Sequence, residues 1–351
     1  MKAPLHFVVP GPIEQRTGGY IYDRRIVDGL LALGWTVEVH ELAGDFPSVD
    51  DVARRSAAAA LSAIPPNGLC LIDGLALPAF SELEDRLPQP WIALVHHPLA
   101  LETGLRPAEA QAFAGIERRL LAGAMRVIVT SAGTRRDLAP YGVEDRRIGV
   151  VLPGTDLATL ARGSAGPGVT LLCVASLTPR KGHLVLLEAL HELADLDWRL
   201  VCVGSDERDP ACAREIASAL DRLGLRARVE LVGERAEADV GPYYDRADLF
   251  VLASYHEGYG MALAEALARG LPAISTTAGA IPDTVPDDAG LLVAPGDARA
   301  LAAALRRVMT EPALRSRLIA GARAARARLP GWDAAARAFA AELTEVLKGA
   351  A

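Results

Sequence analysis

The sequence predicts an α/β protein made of two doubly wound, Rossmann-like parallel sheets. Its 351 residues exceed the length over which one hydrophobic core usually keeps growing, so two domains are expected. Short apolar segments alternate with helical stretches along the chain, which is typical of strand–helix–strand units. A run of small residues at 161–168 interrupts this alternation near the middle and is typical of a linker.

The first domain is predicted to contain six strands, because continuous apolar runs of this length are typical of parallel strands covered on both faces. In chain order they are Leu5 to Val9, Trp35 to Val39, Leu69 to Ile72, Trp91 to Val95, Arg126 to Thr130 and Ile148 to Leu152. An amphipathic helix from about Ile21 to Leu33 is predicted to connect the first two.

The second domain is predicted to repeat this pattern with six further strands. They are Val169 to Ala175, Arg199 to Val203, Arg228 to Val232, Asp248 to Leu252, Leu271 to Ser275 and Gly290 to Val293. A final helix is predicted from Trp332 to Lys348, so the expected organisation is residues 1–163, residues 164–331 and a terminal helical segment, 332–351. Ligands of such sheets bind at the carboxyl ends of the strands, which is where functional residues are expected.

Composition and charge favour an ordinary globular enzyme. Hydrophobic residues make up 51% and charged residues 23% of the chain, which is common in folded domains. The net charge of -7 argues against a nucleic-acid partner, because phosphate contacts require a basic surface. Paired arginines such as Arg118-Arg119 and Arg135-Arg136 are typical of solvated helix faces. A peripheral contact of such residues with a membrane surface is the alternative interpretation.

The cysteines and the amino-terminal sequence indicate the cytoplasm. Four cysteines, Cys70, Cys173, Cys202 and Cys212, form no Cys-x-x-Cys pair, and three of them lie in apolar strand segments, so they are expected to be reduced core residues. The sequence before the first strand lacks the pattern of a secretory leader, and no apolar run reaches eighteen residues.

Two glutamates, Glu257 and Glu265, flank the start of a predicted helix and suggest a ligand site. The stretch from Met261 to Arg269 predicts a helix that follows a short strand and a loop. Gly258 and Gly260 let the backbone approach a ligand, and a helix N-terminus favours a phosphate. Ionised carboxylates accept hydrogen bonds from sugar hydroxyls. Acidic residues near a helix start also occur without any ligand, since they offset the helix dipole.

The segment that contains these glutamates resembles the nucleotide-sugar motif of retaining glycosyltransferase family 4. The resemblance extends over residues 257–275 and 279–283. It implies the GT-B fold, in which two Rossmann-like domains face a central cleft and the last helix crosses back onto the N-terminal domain. It also implies that Glu257 holds the hexose of the donor and Glu265 its ribose. The substrate-binding positions between them are Gly258, Tyr259, Gly260, Met261 and Ala262.

Two further loops match phosphate-binding positions of the family. Gly18 and Gly19 follow the first strand, where amides at the start of a helix reach a phosphate. Arg180 and Lys181 follow the first strand of the second domain and supply the positive charge for a diphosphate leaving group. Without the resemblance, the glycine pair could be only a turn, and the composition around Arg180 and Lys181 would favour a basic turn before a helix. Many relatives carry an arginine where this chain has Ser176, and Arg180 is a candidate to replace it.

Histidines follow the fourth strand, at His96 and His97. The resemblance implies a histidine that contacts the donor hexose near the reacting carbon, and His97 matches that position better, although a histidine at a strand end is often structural. Neither has neighbours at a spacing typical of a metal site, so no metal or other cofactor is predicted. Arg235 is a candidate contact to the nucleotide base through its main chain, and Asp73-Gly74 is a candidate neighbour of the acceptor or an ordinary turn.

The function that these features predict is transfer of a hexosyl group from a nucleoside diphosphate sugar, with UDP as the default nucleotide of the family. The expected catalytic residues are Glu257, Lys181, Arg180 and His97, and retention of anomeric configuration is implied by the resemblance alone. The acceptor is open among small molecules, lipids and saccharides. Alternative functions are a nucleotide-sugar epimerase or hydrolase on the same fold, and a non-catalytic protein that binds nucleotide sugars.

Overall fold

The computed structural model describes residues 4–65, 68–88 and 90–350. The chain forms two compact units. The first extends to Gly154 and resumes at Pro330, and the second is Thr155–Leu329. The sequence predicts boundaries after residues 163 and 331, whereas the units divide after residues 154 and 329. Residues 155–163 lie with the second unit because their backbone is bonded to it, for example through the amide of Ala161, which donates to the carbonyl of Arg269 at 2.9 Å.

The first unit is a six-stranded parallel sheet with helices on both sides. Its strands are β1 (Leu5–Pro10), β2 (Val37–Leu42), β3 (Leu69–Asp73), β4 (Trp91–Val95), β5 (Arg126–Val129) and β6 (Ile148–Val150). Its helices are α1 (Gly18–Ala32), α2 (Asp51–Ala63), α3 (Pro107–Gly123), α4 (Ala132–Asp137) and the terminal helix, which is α12 (Trp332–Ala350). Short 3₁₀ turns occupy Gly74–Phe80, Glu84–Arg86, Leu99–Leu101, Ala139–Tyr141 and Asp145–Arg147.

The second unit is also a six-stranded parallel sheet. Its strands are β7 (Val169–Val174), β8 (Trp198–Val203), β9 (Val229–Gly233), β10 (Leu249–Val251), β11 (Ala273–Thr276) and β12 (Gly290–Val293). Its helices are α5 (His183–His191), α6 (Pro210–Arg222), α7 (Glu237–Asp245), α8 (Met261–Ala268), α9 (Ile281–Thr284), α10 (Ala298–Thr310) and α11 (Pro312–Arg326), with a 3₁₀ turn at Pro179–Lys181.

The strand order shows where each sheet reverses direction. The first sheet has the order β2-β1-β3-β4-β5-β6, and the second has the order β12-β11-β10-β7-β8-β9. Connections therefore leave in opposite directions at β1 and β3 in the first sheet, and at β7 and β10 in the second. Such switch points open a crevice at the carboxyl ends of the strands, where α/β proteins bind their ligands.

Each unit has its own hydrophobic core, as expected for two domains. In the first, strand residues such as Val8, Ile72 and Trp91 are almost fully buried, and in the second Leu172 and Phe250 are. The four cysteines are free and buried, as predicted for core residues. In the described part of the chain, none of the helices combines the length and the apolar character needed to cross a bilayer.

The predicted fold class is confirmed, and a strand lies at each of the twelve predicted places. The largest difference is at β2, which begins at Val37 rather than Trp35 and ends at Leu42. This strand lies at the edge of its sheet and its side chains are mostly half-exposed, so its end lacks a continuous apolar run.

Candidate functional site

The second unit brings three predicted site residues together at its switch point. Lys181 follows β7, Glu257 follows β10, and the Nζ of Lys181 donates to the Oε1 of Glu257 at 2.7 Å. The Nη1 of Arg180 lies 3.7 Å from the other carboxylate oxygen. The hydroxyl of Ser254 donates to Oε1 at 2.6 Å. These residues form a charged cluster in which two cations face one carboxylate.

The carboxylate of this cluster remains ionised at neutral pH. Glu257 is buried, with 6% of its surface exposed. Burial raises its pKa, but the charges of Lys181 and Arg180 and the hydrogen bonds outweigh this effect and lower the pKa to about 2. With both basic groups charged, the cluster has a net charge of +1. This excess positive charge suits a diphosphate, while the carboxylate oxygens can accept hydrogen bonds from hydroxyls.

Backbone contacts hold the two loops of the cluster against each other. The amide of Tyr255 donates to the carbonyl of Arg180 at 2.8 Å, and the Nη1 of Arg180 donates to the carbonyl of His256 at 2.9 Å. Gly182 has φ +66°, and a Cβ there would overlap with the carbonyl oxygen of Ala253. Gly279 has φ +57° and packs in the same way against the backbone of Glu257. Glycine is therefore required at both positions by conformation and by space.

The loop between the two glutamates leads directly into a helix N-terminus. Gly260 adopts φ +86° and precedes Met261, the first residue of α8, with Ala262 next. Tyr259 is buried, and its carbonyl accepts a hydrogen bond from the hydroxyl of Thr284 at 2.6 Å. Gly258 lies between Glu257 and Tyr259. The amides at the start of α8 thus lie next to the charged cluster, an arrangement that favours an anion.

Glu265 lies apart from the charged cluster and has a different partner. The hydroxyl of Tyr244 donates to its Oε2 at 2.8 Å, and the guanidinium of Arg269 lies 4.4 Å from the centre of the Tyr244 ring. Burial raises the pKa of Glu265, and the hydrogen bond from Tyr244 opposes this. The two glutamates therefore differ in their surroundings.

Two predicted positions are outside the cluster. Ser176 lies in the loop after β7, where its carbonyl accepts from the amide of Thr178 at 2.8 Å. Arg180, rather than residue 176, supplies the guanidinium near Glu257. Arg235 follows β9 and is exposed, with its Nη1 on the carbonyl of Glu234 at 2.9 Å.

The first unit places the other predicted residues around its own switch point. Gly18 and Gly19 are the first two residues of α1, whose first turn has no acidic side chain. The ring of His96 approaches Gly19, since a Cβ at that glycine would lie 3.4 Å from its Cδ2. His97 points elsewhere, with its Nε2 3.3 Å from a carboxylate oxygen of Glu102. His96 is thus the histidine beside the glycine loop.

His96 forms a cluster with two acidic residues. The Nε2 of His96 lies 3.0 Å from Oδ1 of Asp23 and 3.2 Å from Oδ2 of Asp73. Burial lowers the pKa of His96, but the two carboxylates outweigh this and raise it to about 10. Burial also raises the pKa of Asp23 to about 7, with the charge of Asp73 adding to the rise and that of His96 opposing it. Oδ1 of Asp73 accepts from the amide of Leu75 at 2.6 Å, which fixes this carboxylate at the end of β3.

Sequence reasoning missed Asp23, Ser254 and Tyr244 as members of these groups. Asp23 lies four residues after Gly19, a spacing that places both on one face of a helix, so its proximity to the glycine loop was detectable. Ser254 lies three residues before Glu257 on the same loop. Tyr244 is distant in sequence from Glu265, and nothing local indicates their contact.

Three buried side chains of the second unit, near the 3₁₀ turn Pro179–Lys181, offer ligand atoms for a soft metal ion. They are Cys173, His183 and Cys202, whose donor atoms lie within 4.8 Å of one another. The set of two thiols and one imidazole is of the kind that zinc or copper(I) prefers.

Comparisons with known families agree with this geometry. The model described as "Glycosyl transferases group 1" matches residues 168–311, and "Glycosyltransferase Family 4" matches residues 69–159. The chain is 32% identical over 241 residues to a D-inositol 3-phosphate glycosyltransferase of Xylanimonas cellulosilytica, covering 64% of this chain and 57% of the relative. It is 31% identical to the enzyme of the same name from Frankia alni, covering 72% and 66%. The chain thus spans about three fifths of the length of the curated relatives that it matches.

Solved structures show the same fold over nearly the whole chain. Sucrose-phosphate synthase from Thermosynechococcus elongatus has a TM-score of 0.83 at 24% identity and covers all of both chains. HepE from Anabaena, in complex with UDP and glucose, has a TM-score of 0.75 at 18% identity and covers 98% of this chain and all of its own. The two family models together identify the chain as a glycosyltransferase of the family 4 type, and its two parallel sheets are those of the GT-B fold.

Proposed function

We propose that the protein is a retaining glycosyltransferase that moves a hexosyl group from a nucleoside diphosphate sugar, most simply a UDP-sugar, to a hydroxyl acceptor. The observation that carries the proposal is the cluster of Glu257, Lys181 and Arg180 at the switch point of the second sheet. It combines excess positive charge for a diphosphate with a fixed carboxylate for sugar hydroxyls, next to the amides at the start of α8.

In the proposed reaction, the bond between the anomeric carbon and the diphosphate breaks, and a bond to the acceptor oxygen forms on the same face of the sugar. The acceptor proton passes to the departing phosphate. Lys181 and Arg180 stabilise the charge that develops on that phosphate, so the step needs no metal ion. Stabilisation by preorganised charges of this kind is often the largest contribution to catalysis.

Each remaining residue has a proposed binding role. Glu257 orients the hexose through its ionised carboxylate, and Glu265, held by Tyr244, accepts from the ribose hydroxyls. The backbone from Gly258 to Ala262 binds phosphate. Gly18 and Gly19 offer the amides of a second helix start, and His97 remains a candidate for the hexose contact. Arg235 is a candidate for the base.

The relatives support the choice of donor and indicate acceptors to test. HepE from Anabaena was solved in complexes with UDP and with UDP-glucose, which favours UDP as the nucleotide. The curated relatives are named for D-inositol 3-phosphate, so phosphorylated and free cyclitols belong in the acceptor panel. A cytoplasmic setting suits a protein with four free cysteines.

The proposal is tested by incubating the protein with a panel of nucleotide sugars, with and without acceptors, and measuring nucleoside diphosphate release and product masses. Glu257→Gln and Lys181→Ala should each lower turnover by about 100-fold, because each removes a preorganised contact. Arg226→Ala is the control, since Arg226 pairs with Asp221 on the exposed surface and should leave turnover unchanged.

The outcomes separate the alternatives. Transfer with the original anomeric configuration, retained in the presence of EDTA, supports the proposal. An altered or hydrolysed donor without transfer indicates an epimerase or hydrolase. Binding of a nucleotide sugar without any chemistry indicates a nucleotide-sugar-binding protein. Wild-type turnover in both site variants would show that the charged cluster does not contribute to catalysis.

A further inference from the structure

The geometry of the cluster around His96 determines which of its ring nitrogens carries a proton. A single imidazole nitrogen, Nε2, lies within hydrogen-bond distance of carboxylate oxygens of both Asp23 and Asp73. When both carboxylates are ionised they only accept hydrogen bonds, so Nε2 must then carry a proton. Asp23 is buried, with 1% of its surface exposed, and its other oxygen has no partner among the described residues. A buried carboxylate with so few donors depends on His96 for compensation.

Three further described contacts of His96 are with uncharged groups. The edge of the Tyr22 ring faces the imidazole with centroids 5.4 Å apart, and burial raises the pKa of Tyr22 well above its ordinary value, so that phenol stays neutral. Thr130 and Thr134 approach the carbonyl of His96, to which their hydroxyls donate at 3.3 and 3.2 Å. These contacts add no charge to the arrangement of Asp23, Asp73 and His96.

We propose that Asp23 and Asp73 are positioning residues that hold His96 as a doubly protonated imidazolium, whose Nδ1–H donates a hydrogen bond to a ligand oxygen. Two carboxylates at Nε2 favour a second proton on the ring, and that proton can lie only on Nδ1. His96 then lacks the lone pair that a general base requires and acts as a fixed cationic donor. The ligand part of this inference rests on the proposed function, since the ligand is the sugar nucleotide or its acceptor.

The accessible part of the cluster is the imidazole. The His96 side chain is 19% exposed, whereas both carboxylates are buried, so the open edge of the cluster is the imidazole. Cδ2 and Nε2 are the ring atoms nearest to Gly19, the second residue of α1, so Nδ1 lies on the side of the ring away from that glycine. A cationic N–H suits a phosphate or hydroxyl oxygen.

The charge state is tested on the ligand-free protein by long-range ¹H–¹⁵N NMR of the histidine rings, in EDTA so that a stray divalent ion cannot replace the shared proton. The His96 signals are assigned by their loss in His96→Gln. In the wild type, both ring nitrogens should stay protonated from about pH 6 to pH 8, the range in which an ordinary histidine titrates. As pH rises, Asp23 should lose its proton before His96 does.

Asp23→Asn tests the role of the acid without changing its size. Removing one negative charge lowers the pKa of His96, so its titration should move down by at least one pH unit. Asp73→Asn should act in the same direction while its side-chain oxygen still accepts from Leu75. Asp28→Asn, an exposed change on the same helix, is the matched control and should leave the His96 titration in place.

Activity measurements give a second and separable readout. The wild-type pH profile should show no ionisation from His96 near neutrality, whereas Asp23→Asn should lose kcat/KM as pH rises through the lowered His96 pKa. A His96 titration near the ordinary value in the wild type, or one that Asp23→Asn does not move, overturns the inference even if the protein transfers sugar. Failure to turn over any nucleotide sugar overturns the proposed function, and the NMR result still decides the charge state.

Discussion

At the scale of single residues, the site depends on how a buried carboxylate is compensated. Glu257 is ionised because Lys181, Arg180 and Ser254 surround it, and each of these partners lies on one of two loops that are far apart in sequence. In the free protein the lysine and the glutamate satisfy each other. A ligand that draws Lys181 to a phosphate must therefore offer hydroxyls to Glu257 in return, which favours ligands that carry both groups.

Lys181→Met should destabilise the protein by about 1–3 kcal/mol, because it removes a charged hydrogen bond from a buried carboxylate and leaves it with Ser254 and the more distant Arg180. Urea unfolding measures this difference. Lys181→Arg is the control and should retain most of the stability, since it keeps the charge.

The pair can be isolated by adding Glu257→Gln to Lys181→Met. The double variant should lose less stability than the sum of the two single variants, because the second change removes the group that the first leaves uncompensated. Equal stability of Lys181→Met and the wild type would show that the contact contributes nothing to the fold.

At the scale of elements, the loops after β7 and β10 are locked together by glycines. Gly182 directly precedes α5 in a left-handed conformation, and its Cα faces the carbonyl of Ala253. No side chain fits there, so the position of Lys181 is tied to the path of the Glu257 loop. The charged cluster is thus set by backbone packing as well as by the attraction between its members.

Gly182→Ala should lower the free energy of unfolding by more than about 1 kcal/mol, because alanine is strained at positive φ and its methyl group would push the two loops apart. It should also lower turnover, since the loops carry Lys181 and Glu257. Gly115→Ala is the matched control. Gly115 lies inside α3 and is not followed by proline, and no atom beyond its chain neighbours and its own helix backbone lies within 4 Å of an added Cβ, so this change should raise stability by about 0.5 kcal/mol. Equal urea midpoints for the two variants would contradict this account.

The position of each element in its sheet explains which strands and which site contacts could be predicted from the sequence. Buried strands such as β4 were predicted at their observed bounds because both of their faces are apolar, while the half-exposed edge strand β2 was displaced. Glu257 and Lys181 were each predicted as site residues from local sequence, Lys181 only through the family resemblance. Their direct contact was not, since it depends on two strands that are neighbours in the sheet but 76 residues apart in the chain. The cluster of Asp23 with His96 was not predicted for the same reason, because residues from three elements form it.

At the scale of the whole molecule, the two units differ in how the chain builds them. The second is continuous, Thr155–Leu329, whereas the first needs the returning segment that contains α12. That helix packs closely on α1: a Cβ at Gly29 would overlap with Ala336, and the rings of Tyr22 and Trp332 are 6.2 Å apart. The Nε of Arg126 also donates to Glu342 at 2.6 Å. The first unit is therefore complete only when the segment that contains α12 is present.

This difference predicts how fragments behave. Residues 155–329 should fold alone and unfold cooperatively in urea, because they carry a complete sheet and core. Residues 1–154 should have a lower free energy of unfolding in urea than a chain in which residues 330–351 are added through a flexible linker, since truncation exposes the face of α1 that α12 covers.

If the proposed function holds, UDP at a hundredfold excess over its Kd should stabilise fragment 155–329 by about 2.7 kcal/mol. In Lys181→Ala the Kd itself should rise. A fragment 155–329 that unfolds without a cooperative transition, while the full chain unfolds with one, would show that the second unit depends on the first for its structure.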